Sequence, residues 1–325
     1  MTNTSYDFLK ALVHGKDSAR EDTYLNSPLY YMLTGRKGTW LYQDDKSSLI
    51  VCAHPHIEER LMVFPEIGRA DYALTSSVLG ALPKQENGVQ LARYSDADLS
   101  TLKRQLARTD NRKVAGLTVR EETMMDWRYP VHILDTDIVS AMEGSDFAKI
   151  RNKFRKAADG LTHTPINAEE DLRTMRAAVK FWEGTMIFNN KETDGMSDFY
   201  HALFDTVSDH PDHIEGMIYL QGRRPVGMTL WDQPQEQTAN IFVNLGDTSI
   251  TGLSDFQLVT TCQRLQDQGI NFANMGGSEI ERLDAFKRKF MPAQSIPLLS
   301  ADIIYNDDLD QSIQVHTLVE PETTM

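Results

Sequence analysis

TANIFVNLGDTSITGLSDFQLVTTCQRLQDQGINFANMGGSEIERLDAFKRKFMP, Thr238 to Pro292, is the stretch whose reading decides the fold. Its β-branched and aromatic start predicts a strand, LGDTSITGLS a loop, and Gly252 to Gln268 a helix that begins near Thr251 or Ser254 and closes before Gly269. Ile270 to Ala273 predicts the next strand, followed by a small-residue turn and a basic amphipathic segment, LDAFKRKF. That order gathers two adjacent strand ends and a helix N-terminus around one point, and a helix N-terminus attracts anions.

Working outward, IEGMIYLQGRRPVGMTLWDQPQEQTANIFVNL holds three strand candidates separated by the turn formers QGRRP and DQPQEQ. DTDIVSAMEGSDFAKIRNKFRKAADG gives two linked helices; in the second, Phe147, Ile150 and Phe154 share one side, Arg151, Lys153 and Lys156 point elsewhere, and Gly160 ends it. Asn167 caps a helix with Met175, Val179 and Trp182 at helical spacing, and SDFYHALFDTVSDH forms another. Ile296 to Tyr305 supplies a final strand.

Towards the N-terminus, Tyr6 to Val13 starts a short helix. Gly38 to Tyr42 and Ser48 to Cys52 form a hairpin about DDKSS, and Arg60 to Val63 is a third strand. Asp96 can cap a helix from Ala97 to Arg108 with Leu99, Leu102 and Leu106 on one face, before strands at Val114–Arg120 and Val131–Leu134. The fold class is α/β, a mixed central sheet flanked by helices. At 325 residues two domains are expected, residues 1–140 and 141–310, with an acidic tail at 311–325.

Hydrophobic residues make up 41% and charged residues 25%, and no run approaches the roughly 18 apolar residues that span a bilayer, so no integral membrane segment is expected. MTNTSYDFLKALVHGKDSARED lacks the features of an export signal, and a cytoplasmic location is expected. Formal net charge is -14, which argues against a surface that tracks nucleic acid throughout but leaves room for local basic sites. Two exist: Lys149, Arg151, Lys153, Arg155 and Lys156, and Arg282, Lys287, Arg288 and Lys289. Each is a solvated helix face or an anion site. Cys52 and Cys262 read as reduced core residues, and His54-Pro55-His56 lacks a third ligand, so no metal site is expected. Nucleotide-loop, dinucleotide, zinc-protease and serine-elbow motifs do not occur.

FAKIRNKFRKA (Phe147–Ala157), GRRPVGMTLW (Gly222–Trp231) and INFANMGGSEIERLDAFKRKFMP (Ile270–Pro292), in that order, resemble the Gcn5-related acetyltransferase-like superfamily. The resemblance is nearest to its branch with the C-terminal domain of phosphatidylglycerol lysyltransferases and the Fem peptidoglycan aminoacyltransferases, and it covers about the second half of the chain. It implies two tandem copies of the fold, the N-terminal one degenerate, and transfer of an acyl or aminoacyl group to an amine or hydroxyl. Acetyl-CoA enzymes of the superfamily carry a Q/R-x-x-G-x-G/A loop for the pyrophosphate; Leu245 to Ser254 lacks its basic first position and paired glycines. Aminoacyl-tRNA as co-substrate, with no tightly bound cofactor, therefore ranks ahead of acyl-CoA.

Acyl transfer requires a carbonyl held beside a nucleophile and polar groups aimed at the developing oxyanion. Asn244, at the end of TANIFVN with Asn240 and Phe242 on its face, can orient a carbonyl or an amine, or simply end a strand. Asn274, Gly276, Gly277 and Ser278 follow the neighbouring strand and offer backbone amides to an anion, or form a left-handed turn. Glu279 is the nearest carboxylate and a candidate base, or it favours a helix dipole; Asp232 is the alternative base. The resemblance assigns Lys287, in its FK-x-x-F context, to donor phosphate or the developing charge, and matches Arg151 to the arginine of an RN pair. Arg151, Lys153 and Arg155 would position the donor through phosphate contacts. The leading expectation is an aminoacyltransferase that forms an amide between charged tRNA and the amine of a small molecule or peptide. An acyl-CoA-dependent N-acyltransferase and a noncatalytic binding protein of the same fold are the alternatives.

Overall fold

A computed structural model of the chain describes residues 6, 9, 10, 12, 21–53, 60–69, 71–82, 88–109, 113–120, 126–188, 196–209 and 211–306. His54 to His56 and the expected acidic tail lie outside these residues, as does part of the helix expected at Tyr6 to Val13. The described strands are β1 (Gly38–Gln43), β2 (Ser47–Ala53), β3 (Leu61–Val63), β4 (Ile67–Gly68), β5 (Val89–Tyr94), β6 (Val114–Val119), β7 (Val131–Asp135), β8 (Leu161–Pro165), β9 (Glu215–Gln221), β10 (Arg224–Gln235), β11 (Thr238–Gly246), β12 (Phe272–Asn274), β13 (Gln294–Ile296) and β14 (Leu299–Tyr305). The helices are α1 (Pro28–Thr34), α2 (Ala73–Ala81), α3 (Asp96–Arg108), α4 (Thr136–Ala141), α5 (Ala148–Ala158), α6 (Ala168–Phe188), α7 (Met196–Asp209), α8 (Leu253–Asp267) and α9 (Glu281–Arg288). A 3-10 turn at Thr23–Asn26 precedes α1.

The strands form two seven-stranded sheets. One has the order β1-β2-β3-β5-β14-β6 with β4 on β2, the other β13-β7-β12-β11-β10-β9-β8. Each is antiparallel except for one parallel pair, β3–β5 in the first and β11–β12 in the second. A parallel pair needs a crossover, and α2 and α8 lie between the two members of these pairs in the chain. The two sheets therefore repeat one scheme, a tandem mixed α/β fold. In each, the strand next to the parallel pair comes from elsewhere in the chain: β14 stands between β5 and β6, and β7 between β12 and β13.

This exchange changes the domain boundaries from a cut near residue 140. The described residues divide into two compact units, one within Met1–Ser18, Thr34–Met124 and Leu298–Met325, the other within Ala19–Leu33 and Met125–Pro297. The single strand expected at Ile296 to Tyr305 is β13 and β14, split between the two sheets at Pro297 and Leu298.

In the first unit Leu49, Val51, Val63, Leu91, Leu99, Leu102 and Ala301 share the core. Ser95, not Asp96, caps α3: its hydroxyl accepts from Asp98 N–H while the Asp98 carboxylate accepts from Ser95 N–H. In the second unit α8 is buried on nearly every side, with Phe256, Leu258, Val259, Cys262 and Leu265 in the core beside Leu134, Ile150, Tyr219 and Ile241. Gly252, at φ +87, rather than Thr251 or Ser254, starts α8, and Asp135 starts α4 by accepting from Asp137 and Ile138 N–H. Phe147 and Ile150 bury the apolar side of α5, and both cysteines are buried free thiols.

Candidate active site

β11 and β12 pair only over Thr238–Asn240 and Phe272–Asn274, which sets Asn240 opposite Asn274. There β12 ends, while β11 continues to Gly246, so the two strands part. Side chains from the 3-10 turn near the N-terminus close this parting. Thr23 Oγ1 donates to Asn240 Oδ1 at 2.5 Å and accepts from Asn274 Nδ2 at 2.9 Å. Asn240 Nδ2 donates to Asp232 Oδ1 at 3.0 Å and to Thr23 O at 3.3 Å, and the Ser27 hydroxyl donates to Asp232 Oδ2. The Tyr24 hydroxyl donates to Ile241 O at 2.6 Å, and its ring meets Phe242 edge-on with centroids 5.1 Å apart.

Asp232 lies within β10, opposite Asn240, and is buried. Burial pushes its carboxyl up to about 7, against the opposing hydrogen bonds from Ser27 and Asn240. With both oxygens engaged it is an enclosed acid rather than an open base. Thr23, Tyr24 and Ser27 are not legible as site residues in the sequence, since they lie 205 or more positions from their partners. Their one local signal is the Asp22 cap before a polar and aromatic run that ends at Pro28.

A register shift at Phe242 sets Asn244 opposite Thr229, three residues from Asp232 on β10, so Asn244 lies on the other face of the sheet from Asn240, against the expected shared face. The Thr229 hydroxyl donates to it at 3.4 Å. Four residues of strand span about 13 Å. The expected meeting of Asn244 with Asn274 is therefore replaced by Asn240 with Asn274.

The turn after β12 is held tightly. Asn274 Oδ1 accepts from Gly276 N–H at 2.8 Å. Gly276 has φ +64, and a Cβ on Gly277 would lie 2.3 Å from Asp126 O, so the turn conformation and backbone contact account for both glycines. Lys287 is buried, and its ammonium donates to Gly276 O at 3.2 Å and to Gly277 O. Leu283 and Phe286 are half-buried and Phe290 fully buried on the same segment, the anchoring expected from its spacing. Ser278 O accepts from Tyr129 N–H at 3.0 Å, whereas the buried Ser278 hydroxyl has no hydrogen-bond partner among the described residues.

Glu279 follows at the exposed lip of this turn. The crowding of its carboxyl and then the charge of Asp126 raise its pKa, while Lys287 opposes the rise. Its charge in turn helps burial to raise the Tyr200 phenol, and Tyr200 packs edge-on against Trp182 at 5.6 Å. Glu279 thus interacts electrostatically with Lys287 on one side and Tyr200 on the other.

The expected donor surface divides. Arg151 turns inward, donating to Gly144 O at 2.7 Å and to Met142 O, and so fixes the turn before α5. Lys153 and Arg155 are exposed. Lys153 Nζ stands 3.8 Å from Asp255 Oδ2, and Lys289 Nζ 2.6 Å from Asp255 Oδ1. Burial lowers the Lys289 pKa and Asp255 opposes that shift. The N-terminus of α8 therefore carries its own buried carboxylate, and a Cβ on Gly252 would lie 2.8 Å from Lys153 O. Asp247, in the loop before it, accepts from Ser249 N–H at 2.9 Å and from Arg224 at 2.6 Å.

No family model and no curated protein matches the chain in sequence. Solved structures do match in shape. A conserved protein of unknown function from Bacteroides thetaiotaomicron VPI-5482 superposes with a TM-score of 0.72 at 17% identity, over 93% of this chain and 99% of that one. L-PGS from Bacillus licheniformis gives 0.62 at 15% identity, covering 98% of each chain. FemX gives 0.62 at 10% identity, over 96% of this chain and 99% of its own. The fold is the tandem acetyltransferase-like fold. At these identities the likeness establishes the fold and leaves the chemistry to the site. No described helix is long and apolar enough to cross a membrane.

Proposed function

We propose that the protein is an aminoacyltransferase that forms an amide between the aminoacyl group of a charged tRNA and the amine of a small molecule or peptide. The observation that carries the choice of donor is the carboxylate of Asp255 in the first turn of α8, buried and paired with Lys289 and Lys153. A helix N-terminus is a favourable place for pyrophosphate, but this first turn is already occupied by Asp255 and its two lysines, and Gly252 packs against Lys153 O. The sequence resemblance to the phosphatidylglycerol lysyltransferase and Fem groups, which implies an aminoacyl-tRNA donor, supports the same choice.

In this reading the acceptor amine attacks the ester carbonyl, its N–C bond forms as the C–O bond to the ribose breaks, and the departing ribose hydroxyl takes a proton. Glu279 receives the amine proton: it is the accessible carboxylate beside Lys287, and its raised pKa moves it towards the range where a base works well. The Lys287 ammonium lies beside Glu279 and favours the developing oxyanion. Asn274 and Ser278 shape one wall, and Asp232, enclosed by Ser27 and Asn240, holds that wall together rather than taking a proton. Lys153 and Arg155 supply phosphate contacts, and Arg151 sets the turn that presents them.

Calorimetric titration with charged tRNA, uncharged tRNA and acetyl-CoA tests the donor. Tighter binding of charged tRNA is expected. Saturable binding of acetyl-CoA with none of tRNA would move the assignment to an N-acyltransferase, and no binding of either would make the protein a noncatalytic member of the fold.

A further inference from the structure

His132, Asp284 and Ser295 form a hydrogen-bonded chain that the aminoacyl-transfer reading does not use. His132 Nε2 lies 2.7 Å from Asp284 Oδ1, and His132 Nδ1 lies 2.9 Å from Ser295 Oγ. His132 and Asp284 are buried, 1% and 3% exposed, whereas Ser295 is exposed. Asp284 Oδ2 is paired with Arg288 Nε at 2.7 Å, which favours the ionised carboxylate. An ionised carboxylate only accepts, so the imidazole proton sits on Nε2 and Nδ1 is left to accept from the serine hydroxyl. A serine bonded to a histidine that a buried carboxylate orients is the arrangement that activates a hydroxyl as a nucleophile.

The sheet supplies one more element. His132 pairs with Ser295 across β7 and β13, and its own N–H and C=O bond to Gly276 O and Met275 N on the other side. In an antiparallel pair this is the non-hydrogen-bonded position, where side chains come closest and the partner's backbone groups point away. β13 is the last strand of its sheet, so the Ser295 N–H points outward from the edge, next to its own hydroxyl.

We propose that Ser295, His132 and Asp284 are a second nucleophilic centre, at the edge of the second sheet, which attacks small activated acyl or phosphoryl esters. In the acyl case the Oγ–C bond forms and the bond to the leaving oxygen breaks. The serine proton passes to His132 Nδ1 and then to the leaving group, and water releases the acyl group.

The test uses the full chain and a biotin-bearing fluorophosphonate, whose P–F bond breaks as Oγ–P forms, with labelled sites mapped by mass spectrometry. Labelling of Ser295 is expected in the folded protein and not after heat denaturation. It should vanish in Ser295→Ala and fall about tenfold or more in Asp284→Asn and His132→Gln. Absence of labelling, or labelling that persists in Ser295→Ala, would overturn the proposal, and equal labelling in Asp284→Asn would remove the carboxylate's role. Because Ser295 is exposed, its variant is not expected to be limited by folding.

Discussion

Asn240 and Asn274 lie opposite one another at the last paired position of β11 and β12, and the Thr23 hydroxyl joins their side chains. One residue from near the N-terminus therefore fixes two strand positions where the sheet opens. The hydroxyl donates to one amide oxygen and accepts from the other amide nitrogen, so it satisfies both with a single atom.

Replacing Thr23 by Val keeps the volume and removes this atom. A buried polar group left unpaired costs about 1–3 kcal/mol, so two such groups set an expected loss of about 2–6 kcal/mol in urea unfolding. Thr23→Ser should recover most of it. A Val variant as stable as the unaltered protein would show that the two asparagines find other partners.

Asp232 gives a pH signature of definite sign. Its pKa is raised from 3.8 to about 7 by burial, so the folded state holds the proton more firmly than the unfolded state. The resulting stability is full below the unfolded value, declines as pH rises through about 7, and is gone above it. The shift corresponds to about 4 kcal/mol as an upper bound. Asp232→Asn imitates the protonated form and can still pair with Ser27 and Asn240. Its stability, followed by thermal or chemical unfolding between pH 4 and 8, should lack this decline, and an unchanged slope would place the pH dependence elsewhere.

The fold is largely legible in the sequence because its signals are local. Turn formers bound β9, β10 and β11, and the spacing of Phe147, Ile150 and Phe154 marks α5. The strand exchange is not legible, because Ile296 to Tyr305 reads as one apolar run, and only the tertiary pairing sends Ile296 to β7 and Leu299 to β5. At the site, the glycine turn and the buried lysine can be found by their residue types. Thr23, Ser27 and His132 cannot, since a hydroxyl or an imidazole becomes informative only when its distant partner is known. Asn244 leaves the face of Asn240 because period-2 alternation holds only in an unbroken strand, and the bulge at Phe242 inverts it.

Lys287 holds the turn through Gly276 O and Gly277 O, and the proposed reaction gives it a second duty that one substitution can separate. Lys287→Met should lower stability by about 2 kcal/mol, because Gly277 O loses a charged donor while Gly276 O keeps His132 N–H. In the proposed reaction it should also lower kcat by about a hundredfold with little change in KM. Steady-state kinetics at a temperature where the variant is fully folded measures the second effect alone. An unchanged kcat there would restrict Lys287 to holding the turn.

The exposed pair on α5, Lys153 and Arg155, tests the proposed tRNA donor. Converting Lys153 and Arg155 to Gln should weaken tRNA binding and flatten the plot of log affinity against log salt, by about 0.7–0.9 for each phosphate that is no longer neutralised. Arg151 should behave differently, since its guanidinium is committed to Gly144 O and Met142 O. Its removal should lower stability. Equal affinities and slopes for the Lys153 and Arg155 double variant would remove α5 from the tRNA surface.

The exchanged strands predict that the chain does not divide where a linear reading would cut it. A fragment of residues 141–310 retains β12 and β13 but lacks β7, which pairs with both. It also carries β14 without β5 and β6, its two neighbours. Each missing strand exposes unpaired N–H and C=O groups along the sheet, which invites association between copies. The fragment also lacks Thr23 and Ser27, leaving Asn240, Asn274 and Asp232 without their hydroxyl partners. Expressed alone, it should aggregate or show an unfolded amide spectrum. Co-expression with residues 1–140 should restore a soluble complex, because β7 and the 3-10 turn then return in the partner fragment. A monomeric, cooperatively unfolding 141–310 fragment would mean that β7 is dispensable to the second sheet.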